Sequence, residues 1–369
     1  MTLLDADRAA SAADRQDTLL IDTDVHENWR SIDDVVPYLD PFWQRQLKLY
    51  GTFLPTMPGP PNLVPVQHGG TRREWQTDGK MGTSLEAMQK HLLDGEQVSV
   101  GILDGFYAFS AIRGSYEFMT ALASAYNDWQ IAEWLEPEPR LRGSVHVVIH
   151  DPEAAAREID RVGAHPQIVQ LFLPTLTDVQ FGDPFYRPIF EAALRNDLVV
   201  ALHHQGCTQT VLGYPRYYVE WHTTAAPVSN MGQLVSFVFN GTFERFPELK
   251  VVILESGVAW LPWFMWRIDE QFRGHRAETP WVKRLPSEQL RSQVRIATQP
   301  LSDITTKQFL QLIDMVDSED MYVFASDYPH YDADSADAVL PSKMPEGLRR
   351  KIRFENALAT YPKLAGLAG

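Results

Sequence analysis

The chain has 369 residues, of which 44% are hydrophobic, 22% are charged and 11% are aromatic, as is typical of a globular protein. Its net charge of −15 argues against nucleic acid or an anionic membrane surface as a partner. No apolar run approaches the roughly 18 residues of a membrane span. The single cysteine excludes an internal disulfide framework, so we expect a cytoplasmic protein.

The first predicted strand follows a polar, alanine-rich segment. We expect residues 1–18 to form a mobile leader, since no apolar stretch follows a basic start as in a secretory signal. The strand begins at Leu19 and ends at His26. Residues 27–97 contain many turn formers and no sustained apolar period, so we interpret them as a long insertion, or lid, over a site. Its aromatic residues predict an apolar cover or a subunit contact, and the latter is compatible with a homodimer.

From residue 98 the chain alternates between strand-like and helix-like runs. The further strands are predicted at residues 98–103, 142–149, 168–173, 198–203, 250–255, 294–298 and 321–326. Asp-Pro pairs at Asp151-Pro152 and Asp183-Pro184 predict the starts of helices over 152–162 and 184–195. This alternation predicts a distorted (β/α)8 TIM barrel in one domain over 19–369, with the insertion after strand 1. An open doubly wound sheet is compatible with the same pattern, although no Gly-x-Gly-x-x-Gly turn is present.

Side chains of the kinds that bind metals recur where the predicted strands end. Because the carboxyl ends of barrel strands share one face, such residues meet although they are far apart in sequence. Asp22, Asp24 and His26 alternate, so an extended strand would place all three on one side. Burying two carboxylates there is costly unless a cation neutralises them. We therefore expect the metal ligands to be Asp22, Asp24, His26, His203, Glu255, Asp327 and His330.

The same region supplies candidate catalytic residues. Glu255 is interpreted as a ligand or as a general acid/base, and Asp327 as a ligand that also orients or deprotonates water. His222 is compatible with three roles, as a proton carrier, a ligand or a plain loop histidine. Of the adjacent His203 and His204, we choose His203 as the residue that faces the barrel interior. Substrate contacts are predicted for Arg113, as a carboxylate anchor, and for Trp29.

Several of these segments together resemble one known family. They are Asp22-x-Asp24-x-His26, the strand-end His203, residues 246–257 with Trp260, Pro262, Arg267 and Asp269, the Gln299-Pro300 pair, and Ser326-Asp327-Tyr328-Pro329-His330. In order and context they resemble the amidohydrolase-related metal-dependent hydrolases, in the branch of aminocarboxymuconate semialdehyde decarboxylase, over residues 19–362. The resemblance implies a distorted (β/α)8 barrel whose divalent metal activates water for hydrolysis, hydration or nonoxidative decarboxylation of small carboxylic acids.

The chain departs from that family pattern at two positions. Asp24 stands where the family's first strand has the first histidine of His-x-His, and Glu255 stands where it has the histidine of a His-Gly-Gly segment. Both changes replace imidazole with carboxylate and shift the expected metal preference from zinc towards manganese or iron. This set of candidate ligands is compatible with one or two metal ions per chain.

Three functions are compatible with these residues. We favour a hydrolase or nonoxidative decarboxylase acting on a small organic acid or amide with an apolar or aromatic part. The alternative is a dinuclear iron monooxygenase on the same barrel, because carboxylate-rich metal pairs with histidines support oxygen chemistry. A noncatalytic binding barrel is the third, and ligand-type residues at four separate strand ends argue against it.

Overall fold

The computed structural model describes residues 19–51, 70–77, 79–105, 115–175, 177–204 and 217–368. The predicted leader at residues 1–18 and the candidate substrate anchor Arg113 lie outside this part of the chain. Among the described residues, no helix has both the length and the apolar character that a membrane crossing requires.

Eight parallel strands form one sheet in which each strand pairs with the next along the chain. They are β1 (Ile21–Val25), β2 (Val100–Leu103), β3 (Leu141–His146), β4 (Ile168–Pro174), β5 (Val199–His203), β6 (Val251–Ile253), β7 (Val294–Ala297) and β8 (Tyr322–Val323). The sheet closes because Val25 bridges to Tyr328, and the amide of His26 donates to the Tyr328 carbonyl at 2.8 Å. The predicted barrel is therefore confirmed, and the open sheet is not what the chain forms.

Helices connect the strands and cover the outside of the barrel. They are α1 (Pro41–Tyr50), α2 (Leu85–Met88), α3 (Tyr116–Gln130), α4 (Pro152–Val162), α5 (Arg187–Arg195), α6 (Tyr218–Phe239), α7 (Thr242–Arg245), α8 (Leu261–His275), α9 (Pro286–Gln293), α10 (Thr306–Val316), α11 (Ala336–Val339), α12 (Glu346–Arg350) and α13 (Asn356–Thr360). Single turns of 3-10 or π type extend several of them.

Both predicted Asp-Pro helix starts are present. The side chain of Asp151 accepts a hydrogen bond from the amide of Ala154 at 3.0 Å and caps α4. Asp183 accepts from the amide of Phe185 at 2.9 Å, but there the chain first makes a 3-10 turn and α5 begins only at Arg187. In each case proline occupies the first turn, where its missing N–H leaves no gap in the hydrogen bonding.

The described part of the insertion reaches the carboxyl end of the barrel. The amide of Arg72 donates to the carbonyl of Pro329 at 2.9 Å, and the ring of Trp75 lies 4.9 Å from that of Tyr328. These contacts place residues 70–77 beside the loop that follows β8. The lid interpretation stays a prediction, since residues 52–69 lie outside the described part of the chain.

The barrel interior contains apolar side chains of the strands together with a few buried polar ones, and the C-terminal segment covers one end of it. Phe354 and Tyr361 belong to the same buried cluster as Val100 and Val199, the first residues of β2 and β5. The C-terminal segment therefore packs where the strands begin. The opposite end, where the strands finish, is left for the site.

Candidate metal centre

Four buried side chains meet at the carboxyl end of the barrel, and we call them the first cluster. Asp24 and His26 come from the end of β1, His203 ends β5, and Asp327 follows β8. The Nε2 atom of His26 lies 3.3 Å from Asp24 Oδ1 and 3.0 Å from Asp327 Oδ1. The ring centroids of His26 and His203 are 5.3 Å apart. The structure thus brings together four residues that the sequence analysis selected separately.

A backbone contact fixes the ring of His26. Its Nδ1 atom lies 2.6 Å from the carbonyl oxygen of Gly105, and because a carbonyl only accepts, Nδ1 carries a proton. Glu27 in turn accepts a hydrogen bond from the amide of Gly105 at 2.9 Å. Histidines that bind metals are commonly oriented through the second ring nitrogen in this way. Nε2 is therefore the nitrogen that faces the rest of the first cluster.

The first cluster fits a divalent cation because buried donor atoms in it lack hydrogen bonds. Within the described residues, neither carboxylate oxygen of Asp24 and neither ring nitrogen of His203 makes a well-aligned hydrogen bond. Leaving a buried polar group unsatisfied costs about 1–3 kcal/mol. A cation would satisfy Asp24 and one ring nitrogen of His203, and a set of two imidazoles and two carboxylates suits Mn²⁺, Fe²⁺ or Zn²⁺.

The pKa values of the first cluster also indicate that its carboxylates require a neighbouring positive charge. Burial raises the pKa of Asp24 well above its ordinary value, and the carboxylates of Asp104 and Asp327 add to the rise against the opposing effect of His26. Burial alone would lower the pKa of His26, but Asp24 and Asp327 outweigh it and raise that pKa well above the usual range. Without a metal the cluster therefore retains protons that a bound cation would displace.

Two carboxylate residues of the site have strained backbones. Glu255 and Asp327 adopt positive φ angles of 44° and 62°, which are unfavourable for residues other than glycine. Strain of this kind costs about 1–3 kcal/mol, and residues with strained backbones are often found at functional sites. At Asp327 the strain is held in place by the amide, which donates to the carbonyl of Asp24 at 3.1 Å.

A second set of ionisable side chains adjoins the first cluster, and we call it the second cluster: His204, His222, Glu255 and Asp332. Glu255 Oε2 lies 3.0 Å from Nε2 of His203 and 3.3 Å from Nδ1 of His204. Nε2 of His222 lies 3.8 Å from Glu255 Oε1 and 3.6 Å from Asp332 Oδ2. Burial by itself would raise the pKa of Glu255, but His204 and His203 outweigh it and hold that pKa well below its ordinary value.

The other predicted site residues are placed as follows. Asp22 is fully buried, but its Oδ1 accepts hydrogen bonds from the amides of Ser326 at 2.9 Å and Asp24 at 3.2 Å, so it joins β1 to the end of β8. Nδ1 of His330 lies 2.6 Å from Oδ1 of Asp327. Trp29 is only 2% exposed and packs against Tyr126. The roles proposed for these side chains stay predictions.

Three residues of this region were not predicted from the sequence, the buried Asp104 and His204 and the partly exposed Asp332. Asp104 directly follows β2, so the strand-end pattern that selected the other ligands applies to it as well. Its Oδ1 accepts from Ser144 Oγ at 2.8 Å and from Gln170 Nε2 at 2.5 Å, and burial raises the pKa of Asp104 to about 7. His204 was set aside in favour of its neighbour. Asp332 lies in an irregular loop, where no periodic pattern points to it.

A cavity of about 520 Å³ opens beside the second cluster. Its lining contains all four residues of that cluster, and the apolar side chains of Val258, Trp260 and Ile304 form another part of the wall. This volume is in the range of small-molecule sites. Among the described lining residues there is no lysine or arginine, so a bound cation, a protonated imidazole or residues outside the described part would supply the positive charge that an anionic ligand needs.

A closed parallel barrel with carboxylates and imidazoles converging at the ends of its strands defines a metal-dependent barrel enzyme. The chain belongs to the amidohydrolase family, whose model, described as "Amidohydrolase", matches residues 21–363. The resemblance seen in the sequence is thereby confirmed over nearly all of the chain.

Similar proteins include several decarboxylases. Gamma-resorcylate decarboxylase from Polaromonas sp. (strain JS666) is 26% identical over 250 residues, which cover 63% of this chain and 73% of the relative. A 5-carboxyvanillate decarboxylase from Novosphingobium aromaticivorans, complexed with manganese and 4-hydroxy-3-methoxy-5-nitrobenzoic acid, matches with a TM-score of 0.70 at 19% identity, over 94% of this chain and 97% of that one.

A dihydroxybenzoic acid decarboxylase from Polaromonas sp. JS666, with bound manganese and 2-nitroresorcinol, matches over 94% of this chain and 97% of its own with a TM-score of 0.66 at 18% identity. At such low identity the solved structures show that the fold is shared. None of these relatives supports the monooxygenase alternative.

Proposed function

We propose that the protein is a metal-dependent nonoxidative decarboxylase of an aromatic carboxylic acid. The observation that carries this proposal is the first cluster, which sits at the barrel mouth next to a cavity with one ionisable and one apolar wall. The decarboxylases among its relatives, which act on resorcylate and carboxyvanillate, support the reaction and the substrate class.

The cavity suits a substituted benzoate. Its ring would pack against Val258, Trp260 and Ile304, with the oxygen substituents directed towards the carboxylates and imidazoles. Asp24, His26, His203 and Asp327 would hold the divalent ion, which when bound supplies a positive charge that attracts substrate oxygens and polarises them. His26 is already in the required orientation because Gly105 holds its other nitrogen.

The chain must also deliver one proton. In decarboxylation a proton adds to the ring carbon that bears the carboxylate, the bond to the carboxylate breaks, and its electron pair restores the aromatic ring as CO₂ leaves. Two side chains at the site have the chemistry to carry that proton, His222 and His330, whereas the neighbouring imidazoles favour the ionised form of Glu255. The imidazoles of His222 and His330 are 24% and 23% exposed, so both can also exchange protons with solvent.

The test is a product analysis. Protein loaded with Mn²⁺ is incubated with 2,6-dihydroxybenzoate and 5-carboxyvanillate, and we expect CO₂ release together with the decarboxylated phenol. In D₂O the product should carry one deuterium at the carbon that held the carboxylate. Chelator-treated protein serves as the control and should be inactive. Turnover of ester or amide analogues, with no CO₂ from any benzoate, would replace this proposal with a hydrolase.

A further inference from the structure

We propose that Gln299 is a positioning residue of the metal centre, where it directs Oδ1 of Asp327 at the first cluster and joins Asp327 to the cavity wall. Gln299 lies two residues after β7 and is fully buried, and no role was predicted for it from the sequence. It is not one of the candidate ligands. Its role requires the metal centre proposed above but holds whichever reaction the enzyme catalyses.

The side-chain amide of Gln299 donates to two acceptors in the segment that follows β8. Its Nε2 atom lies 3.2 Å from Asp327 Oδ2 and 3.4 Å from the backbone carbonyl oxygen of Asp332. A backbone carbonyl only accepts hydrogen bonds, so the NH₂ group of the amide must face this segment. The two hydrogens of that group are enough for both acceptors, and together these bonds fix the orientation of the side chain.

The two carboxylate oxygens of Asp327 have different neighbours. Oδ1 lies 3.0 Å from Nε2 of His26 and 2.6 Å from Nδ1 of His330, whereas Oδ2 accepts the hydrogen bond from Gln299. A carboxylate can bind a cation through one oxygen or through both. Because Gln299 engages Oδ2, it favours binding through Oδ1 alone and keeps one coordination position of the ion open for substrate.

The acceptor end of the same amide indicates that Gln299 is retained for its donors. Oε1 of Gln299 is buried and makes no well-aligned hydrogen bond within the described residues. An unsatisfied buried acceptor costs about 1–3 kcal/mol, which an apolar side chain of similar length would avoid. The amide therefore lowers stability at its acceptor end, and what it provides is the pair of hydrogen bonds to the site.

Gln299 also connects β7 to two other segments of the barrel mouth. Its backbone carbonyl accepts from the amide of Gly257, after β6, while its side chain contacts the segment after β8. Gln299 holds the carbonyl of Asp332, and Oδ2 of Asp332 lies 3.6 Å from Nε2 of His222 on the cavity wall. Loss of the amide should therefore loosen the cavity wall together with Asp327, whose backbone is strained.

The test is the affinity of the metal-free protein for Mn²⁺, measured by isothermal titration. Gln299→Met removes both donors at nearly the same side-chain length, and the affinity should fall by about 10–100-fold, as is typical when a residue that supports a metal ligand is replaced. Gln293→Met is the matched control, since Gln293 is 1% exposed and donates to the carbonyls of Phe246 and Leu249 ahead of β6, at the opposite end of the barrel. It should keep the wild-type affinity. So should Asp303→Asn, which removes a carboxylate of the cavity wall that belongs to neither cluster.

A double-mutant cycle shows whether Gln299 acts through Asp327. In an Asp327→Ala background, Gln299→Met should change the remaining Mn²⁺ affinity by less than about twofold, because the carboxylate that Gln299 positions is absent. The signal of free Mn²⁺ in electron paramagnetic resonance measures such weak binding. An equal loss in both backgrounds would overturn the role, since Gln299 would then act on the fold and not on Asp327.

Electron paramagnetic resonance of the bound ion provides a further readout. With Oδ2 free to bind, the zero-field splitting of Mn²⁺ in Gln299→Met should differ from that in the wild type and in Gln293→Met. Circular dichroism checks that the variants fold, and Gln299→Leu makes the same change with a branched side chain. Wild-type affinity with an unchanged spectrum in Gln299→Met would overturn the proposal. A wild type that binds no Mn²⁺ would reject the metal centre and this role with it, whereas Mn²⁺ binding without CO₂ release would reject the proposed reaction alone.

Discussion

Asp327 is a buried carboxylate at the barrel mouth that three neighbouring side chains hold in place. It lies 3.0 Å from the Nε2 atom of His26 and 2.6 Å from Nδ1 of His330, and it accepts a hydrogen bond from Gln299 Nε2 at 3.2 Å. These partners hold the side chain in place despite its strained backbone. Its negative charge is therefore available at a fixed position.

Asp327→Asn should preserve the shape of this side chain and remove its charge. We expect Mn²⁺ affinity to fall by more than about 100-fold, the upper range for residues that only support a ligand, and activity to fall with it. Isothermal titration of the metal-free protein with Mn²⁺ measures the change, with Asp303→Asn as the control. Unchanged affinity would show that Asp327 is not a ligand.

Glu27→Ala tests the support of His26. Glu27 is fully buried and accepts hydrogen bonds from Tyr126 Oη at 2.9 Å, from Gln130 Nε2 at 2.5 Å and from the Gly105 amide at 2.9 Å. Removing this shared acceptor should lower the free energy of unfolding by about 1–3 kcal/mol, because buried neutral donors lose this partner. Urea unfolding measures it.

Mn²⁺ affinity should drop as well, because Gly105 would no longer hold His26 firmly. Glu27→Gln keeps one acceptor oxygen and should show a smaller loss of both quantities. Equal behaviour of the two variants would mean that the carboxylate is not what orders this loop.

Helices and strands could be predicted from the sequence where apolar residues recur at a regular spacing. The strands and the helix over residues 152–162 were predicted well because burial against a barrel imposes apolar runs of fixed length and Asp-Pro marks a helix start. The candidate ligands at strand ends followed from the same pattern. Asp332 could not be predicted, since it reaches the cavity through an irregular loop whose course depends on tertiary contacts.

Two helices are joined by one buried carboxylate. Asp269 of α8 is 8% exposed and accepts hydrogen bonds from Ser287 at the start of α9, at 2.8 Å from the amide and 2.7 Å from Oγ. Hydrogen bonds to a charged acceptor contribute about 1.5–3 kcal/mol. The pair therefore fixes where α9 begins.

Asp269→Ala should accordingly lower the free energy of unfolding by about 2–3 kcal/mol while the Mn²⁺ stoichiometry stays as in the wild type, because Asp269 belongs to neither cluster. Thermal unfolding and elemental analysis check the two statements. Asp269→Asn, which keeps an acceptor, should be intermediate. A change in metal content would show that the α8–α9 contact shapes the site.

Across the whole molecule, the buried carboxyl groups make stability depend on pH. Burial raises the pKa of Asp22 and of Asp104 to about 7 from an ordinary value of 3.8. Between these values the folded protein holds protons that the unfolded chain has released, so stability decreases as the pH rises through this window. The metal-free protein should therefore melt at a lower temperature at pH 7 than at pH 5.

Added Mn²⁺ should raise the melting temperature more at pH 7 than at pH 5, because the ion must displace protons from its ligands. Melting curves across this range, with and without the metal, test the statement. A metal-free protein that becomes more stable over the same interval would contradict it.

The polar chain through the barrel interior links the two ends of the molecule. Tyr361 Oη donates to Gln170 Oε1 at 2.6 Å, and Gln170 Nε2 donates to Asp104 Oδ1 at 2.5 Å, next to the first cluster. A chain truncated after residue 350 keeps all eight strands but lacks Tyr361, so its barrel is open at the base. Such a chain should consequently bind Mn²⁺ more weakly than the full chain, which would make metal binding at one end of the barrel depend on the segment that closes the other.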